Sequence, residues 1–191
     1  MKTLLSGLAI AITFFAFIPY IKSIISGHTR PHVFSWIIWG STTLIVFFAQ
    51  LQDGAGIGAW PIGVSGVITL LVAWLAYRYR ADYSITRTDQ IFMLMAILSL
   101  PLWYFTANPL WAVILLTFVD LLGFGPTFRK AFYLPYQENI GFFSLFALRN
   151  LLVVLALEHY SVTTILFPAA TGFACVLLIM LIVQRRYSFS R

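Results

Sequence analysis

Seven apolar runs, at about 3–22, 33–51, 56–77, 90–106, 109–128, 140–157 and 162–184, occupy most of this 191-residue chain. A helix crossing the hydrocarbon core of a bilayer needs about 20 predominantly apolar residues, so seven crossings use roughly 140 residues and leave about 50 for connections and tails. That remainder cannot build a water-soluble core, which excludes a membrane-anchored globular enzyme and a nucleic-acid-binding domain. Composition agrees: 9% of residues are charged and mean hydropathy is +0.92, where soluble domains carry about 25% charged residues. The expected fold class is an all-α integral membrane protein with seven transmembrane helices. The first run follows Lys2 and has some features of a signal peptide. It is long, lacks a well-placed small-x-small cleavage site and continues through Pro19, so it reads as the first span.

The net charge of +6 reflects topology before it reflects any polyanionic partner. With seven spans, Lys22, Arg30, Arg78, Arg80, Arg87, Arg129, Lys130, Arg185, Arg186 and Arg191 fall on one side of the membrane, and Lys2 alone falls on the other. Cytoplasmic loops collect Lys and Arg, so the expected orientation has the N-terminus outside and the C-terminus in the cytoplasm. Contact with anionic lipid follows as a secondary consequence. Short polar loops and tails point to a bacterial inner membrane. The single cysteine, Cys175, reads as a packing residue.

Self-similarity divides the chain further. A shift of 107 residues places Pro19 on Pro126, Lys22 on Arg129, Pro61 on Pro168 and Arg78 on Arg185, and a local shift of 109 aligns 35–41 with 144–150. The expected organisation is two three-helix units, 1–80 and 108–187, joined by a linker helix at 88–107. A repeat with an odd number of spans returns inverted, and one linker span makes the two units parallel. Pro19 and Pro126, each near the cytoplasmic end of its span, remove a backbone hydrogen bond. They read either as paired gate hinges or as helix-end punctuation.

The segments Phe15-Ala-Phe-Ile-Pro-Tyr-Ile-Lys22 and Leu122-Gly-Phe-Gly-Pro-Thr-Phe-Arg-Lys130 carry a late proline followed by a basic residue and a short loop. Together with the 3+1+3 order and an outside N-terminus, they resemble the SWEET and PQ-loop transporter superfamily. That resemblance implies alternating access around a pocket between the units. A serine and a tryptophan four residues later help to line the sugar pocket of SWEETs, and Ser35 with Trp39 matches that spacing. Ser144 matches in the second unit, where Leu148 replaces the tryptophan. Tyr20 and Thr127 stand where the family's signature glutamine would be, and Asn150 is the sole intramembrane asparagine. Trp36-x-x-Trp39 is also similar to an aromatic motif of the nicotinamide riboside transporters.

Ionisable groups inside a membrane cost about 2.5–3.5 kcal/mol each on insertion scales, which makes them functional candidates. Asp120 and Arg149 are the two. At 1.5 Å per residue they lie about 16 Å and about 14 Å into their spans, both near the midplane. They read either as a structural ion pair or as working groups, with Asp120 carrying a proton and Arg149 binding a carboxylate or phosphate. Adjacent Asn150 offers a donor and an acceptor. Trp36, Trp60, Trp74, Trp103 and Trp111 fit interfacial belts, whereas Trp39 lies deeper and suits ligand stacking, with Ser35 and Ser41 supplying hydrogen bonds.

His28 and His32 are spaced like metal ligands, but Pro31 breaks the helix that spacing needs and no third ligand is near, so they read as a solvated loop. Glu158 and His159 read as solvated at the outer surface, with proton delivery the alternative. Gly54, Gly56, Gly58, Gly63 and Gly66 suggest close helix approach. No hydrolase, phosphate-loop or metal-site motif is present, so neither an enzyme nor a cofactor is expected.

The expected function is transport of a small polar organic solute, sugar-like or vitamin- or nucleoside-like. Its site would comprise Ser35, Trp39, Ser41, Ser144, Arg149 and Asn150, with Asp120 for proton coupling or ion pairing and Pro19 and Pro126 as hinges. The expected partners are that solute, the bilayer and, compatibly, further copies of the chain. The rival expectation is a non-transporting membrane receptor or assembly protein of the same fold, in the manner of the KDEL receptor, which holds a peptide carboxylate.

Overall fold

The structure is a computed structural model that describes residues 1–28, 33–79, 85, 87–138 and 140–189, apart from the side chains of 126, 129, 130, 137 and 189. The described residues form helices and no strand. In chain order these are α1 (Lys2–Ile25), α2 (Val33–Gln52), α3 (Trp60–Arg78), α4 (Arg87–Thr106), α5 (Pro109–Gly123), α6 (Gly125–Tyr133), α7 (Ile140–Ala156) and α8 (Val162–Phe189). A 3-10 turn, Gly56–Ala59, leads directly into α3. By length and composition α1, α2, α3 with its leading turn, α4 and α8 can each cross a membrane, and α5 and α7 are shorter apolar helices. These are the helices of a multi-pass membrane protein.

The distribution of polarity supports that assignment. Leu4, Phe14, Phe15, Ile91, Leu94, Phe105, Phe118, Leu151 and Phe173 face outward, while Ser6, Thr13, Thr43, Gln50, Thr117, Arg149, Asn150, Thr164 and Thr171 are buried. Lipid tails solvate the apolar exterior, and polar groups must find partners within the bundle. Several hydroxyls do so within their own helix: Thr13, Thr69 and Thr171 each donate to the carbonyl four residues earlier at 2.8 Å.

The fifth apolar run is not one continuous helix. α5 ends at Gly123, Phe124 caps it, and α6 begins at Gly125. Pro126 is thereby in the first turn of α6, where its missing N–H costs no helical bond. α1, by contrast, continues through Pro19, whose ring is on the exposed side of the helix.

α3 packs against both α1 and α2, and α8 packs against both α5 and α7. The two groups meet through α1 on α7 and α2 on α5, with α4 at the edge against α5 and α2. Two prolines are used alike. Pro61 has no N–H for the carbonyl of Ile57, which accepts the Trp60 N–H instead and also accepts from Ser6 Oγ on α1 at 2.8 Å. Pro168 has none for the carbonyl of Thr164, which accepts from Gln50 Nε2 on α2 at 2.8 Å. In each case a polar side chain from a neighbouring helix bonds the carbonyl that a proline four residues later cannot bond.

Small residues set the closest approaches. A Cβ on Gly66 would lie 2.8 Å from Leu44 Cδ2, and one on Gly58 would lie 2.6 Å from the backbone nitrogen of Leu157. The second contact cannot yield, because its partner is backbone. Gly58→Val should therefore lower the thermal unfolding midpoint of purified protein, by overpacking worth about 1–3 kcal/mol. Gly7→Ala, which is inside α1 and meets nothing within 4 Å, should not lower it and can raise it through the better helix propensity of alanine.

Candidate functional site

A cavity of about 610 Å³ lies between the helices and is lined by residues from every one of them except α4. Arg149 on α7 is its most constrained group. The side chain is buried, and its guanidinium is solvated by neutral protein groups. Nε donates to Thr13 Oγ1 on α1 at 3.3 Å, Nη1 to Asn150 Oδ1 at 3.1 Å, and Nη2 to the Pro61 carbonyl at the head of α3 at 2.8 Å. The Phe146 ring lies 5.8 Å from the guanidinium carbon. Thr13 serves twice, since its hydroxyl donates to Ala9 and accepts from Arg149.

Asp120 lines the same cavity from α5 and is half-buried. Among the described residues it makes no hydrogen bond and no ion pair, so its carboxylate and the guanidinium interact only across the cavity. Three residues on, Gly123 provides room for Trp39: a Cβ there would lie 3.1 Å from the indole Nε1. Gly172 on α8 does the same for Asn150, whose Cβ would be 3.0 Å from an added Cβ.

Aromatic rings form the remaining walls. Tyr20 stacks on Trp36 at 5.1 Å between centroids, and Trp36 meets Trp39 edge-on at 5.7 Å. Phe142 and Phe146 lie 4.7 Å apart, and Phe146 meets Phe17 at 5.9 Å. Thr43, Ser65, Thr69 and Thr171 add hydroxyls at depth, and the lining reaches Thr127 and Glu138 at the end where α6 lies.

At the opposite end the connecting loops are hydrogen-bonded together. Lys2 Nζ donates to the carbonyls of Leu157 and Glu158, and Glu158 accepts from the backbone N–H of Ile57 at 3.4 Å. The Glu158 N–H donates to the Ala55 carbonyl at 3.1 Å. His159 Nδ1 donates to the Asp53 carbonyl at 2.9 Å, and Ser161 Oγ donates to the Asp53 carboxylate. The loops after α2 and α7 are thus bonded to each other and to the start of α1. Glu158 and His159, read as solvated or as a proton-delivery pair, are exposed and also bond these loops together.

Of the residues singled out in the sequence, Trp39, Arg149, Asn150 and Asp120 come together on the cavity. Ser35, Ser41 and Ser144 do not line it. Ser35 Oγ donates instead toward the Asp89 carboxylate, in the first turn of α4, at 3.5 Å. Ser41 is half-buried elsewhere on α2, and Ser144 is exposed. The Pro19 ring is off the cavity, and the side chain of Pro126, like His32 of the histidine pair, lies outside the described residues. His28 Nδ1 is 2.8 Å from Ser26 Oγ. Trp60, Trp74 and Trp111 are exposed in the manner of belt residues, whereas Trp36, expected with them, is in the cavity wall. Sequence reasoning missed Thr13, Thr43, Thr69, Thr171 and the Phe142–Phe146 pair. Hydroxyls inside apolar runs were the available signal.

No protein-family model matches the chain, and neither curated proteins nor solved structures provide a match.

Thr13 offers the cleanest test of the Arg149 arrangement. Thr13→Val keeps the shape but leaves the Arg149 Nε–H without an acceptor, a loss of about 1.5–3 kcal/mol for a bond to a charged group. Thermal unfolding should show a clear drop for Thr13→Val and a much smaller one for Thr13→Ser.

Proposed function

We propose that this protein is a membrane transporter that moves a small polar organic solute, sugar-like or vitamin- or nucleoside-like, by alternating access. The observation that carries this reading is the cavity. It has the size of a small-molecule site, an aromatic wall and a few convergent polar groups, it holds Arg149 and Asp120, and hydrogen bonds join the loops at one end of the bundle.

The finer architecture belongs to the same proposal. Two parallel three-helix units, 1–80 and 108–187, would be joined by α4 as the linker at 88–107, with α5 and α6 together forming the fifth of seven crossings. Support comes from matched packing. The α1·α3 and α2·α3 contacts correspond to α5·α8 and α7·α8, and α1·α7 corresponds to α5·α2 under exchange of the units. Pro61 and Pro168 fall at matching places near the starts of α3 and α8. This is the pseudo-symmetry from which many transporters build alternating access, and it favours the SWEET and PQ-loop resemblance. The charge bias supports an outside N-terminus and a cytoplasmic C-terminus, and the short polar loops favour a bacterial inner membrane.

The second reading, a receptor of the same fold, is favoured by the N–H groups that Arg149 does not spend on protein partners. Flux separates the two. Proteoliposomes containing the purified chain should show saturable uptake of at least one solute from a panel of sugars, nucleosides, amino acids and vitamins. Trp39→Ala, which removes the stacking surface worth about 0.5–1.5 kcal/mol beyond its area, should lower that uptake roughly tenfold. Tight binding of a solute with no flux of any would support the receptor and overturn transport.

A further inference from the structure

The described cavity lining carries Arg149 and, besides Glu138 at its α6 end, Asp120, and Arg149 and Asp120 do not bond each other directly. In a low-dielectric interior, breaking contact between opposite charges is costly unless something else solvates each of them. Arg149 is solvated in part. Its guanidinium has five N–H donors, and protein groups take three of them. Two remain, one on each Nη, and a planar carboxylate takes two such donors at once. Asp120 is solvated less, since no described group bonds its carboxylate.

The surroundings place an aromatic surface beside both charges. Asp120 and Gly123 are three residues apart and so lie on one face of α5, and Gly123 is where the Trp39 indole rests. Across the cavity, Arg149 is one turn from Phe146 on α7 and lies against that ring. Thr69 and Thr171 already donate to their own helices, so toward the cavity their hydroxyls can only accept. A ligand with a carboxylate, a cationic amine and a planar apolar body meets every feature in turn.

We infer that the cavity binds an aromatic zwitterion, a small molecule whose carboxylate is held by Arg149 and whose ammonium is held by Asp120, with its ring between the Trp39 and Phe146 walls. The assignment rests on reading the cavity as the solute site proposed above and narrows the solute to one charge pattern. A carboxylate neutralises the one cation on the described lining. A phosphate dianion would leave an excess negative charge beside Asp120 and Glu138.

The test is ligand-dependent thermal stability of the purified full chain, because a ligand that binds only the folded state raises its unfolding midpoint. Five probes share one ring: phenylalanine, 3-phenylpropionate, phenethylamine, phenyl glucoside and phenyl phosphate. At about 5 mM each, phenylalanine should raise the midpoint, and the probes lacking either charge should raise it far less. Asp120→Asn keeps the shape of the side chain and should erase the advantage of phenylalanine over 3-phenylpropionate, a loss of roughly tenfold or more in apparent affinity. No shift with phenylalanine, an equal or larger shift with the glucoside or with phenyl phosphate, or an unchanged preference in Asp120→Asn would each overturn the assignment. Liposome flux distinguishes this failure from that of the transporter reading. Phenylalanine binding without uptake removes transport and leaves the ligand class standing, while uptake of a neutral sugar without zwitterion binding does the reverse.

Discussion

A guanidinium inside an apolar bundle must be solvated by the protein itself, and the arrangement that solvates Arg149 fixes much of this molecule. Its three protein acceptors come from α1, from the head of α3 and from the neighbouring Asn150 on α7. α1 and α3 lie in the first half of the sequence and α7 in the second, so one side chain ties the halves together at depth. The requirement propagates outward. Thr13 must face inward, Pro61 must present its carbonyl, and α8 must carry a glycine at 172 so that Asn150 can reach the guanidinium. Each constraint is a consequence of burying a charge without an adjacent counter-ion.

The bonding of the loops at the N-terminal end follows a different logic. It is made of exposed or partly buried bonds between two loops and Lys2. Such bonds individually contribute little at a water-facing surface and can exchange with water. The Arg149 contacts cannot exchange with water so readily. Under the proposed function this difference is useful: a firm tie at mid-depth acts as the pivot, and a weaker tie at one end acts as the gate. The break at Phe124 between α5 and α6, together with the aromatic wall from Tyr20 to Trp39, lies toward the other end, where the cavity lining reaches furthest.

Much of the framework was legible because it depends on length and apolarity, and the apolar runs fall on the helices. Asp120 and Arg149 were legible as midplane ionisable residues, and both line the cavity. Rotation about each helix axis was not legible. The cavity face of α2 runs through 36, 39 and 43, so Ser35 falls on the other side of Trp39 and reaches Asp89, and Ser41 turns away. The cavity face of α7 runs through 142, 146, 149 and 150, which leaves Ser144 about 200° from 142 at 100° per residue. A pattern of uniformly apolar residues gives no periodic signal to set that rotation. Trp36 shows the same ambiguity, since depth alone suits a belt and rotation puts it in the wall. The interruption of the fifth run was written as Gly123-Phe-Gly-Pro126, which announces a bend but not whether the helix survives it. In α1 the helix survives Pro19, and in α5 it ends.

The central claim is that the cavity faces one side of the membrane at rest and the other during turnover, and cysteine accessibility measures this directly. Thr43 lines the cavity at mid-depth on α2. Thr43→Cys, with the native thiol removed as Cys175→Ser, would be treated with a membrane-impermeant thiol reagent in right-side-out and inside-out vesicles. The account predicts rapid labelling from the side bearing α6 and the basic loops, with labelling from the opposite side appearing only when transported solute is supplied. Labelling from neither side, or equal labelling from both without solute, would contradict it.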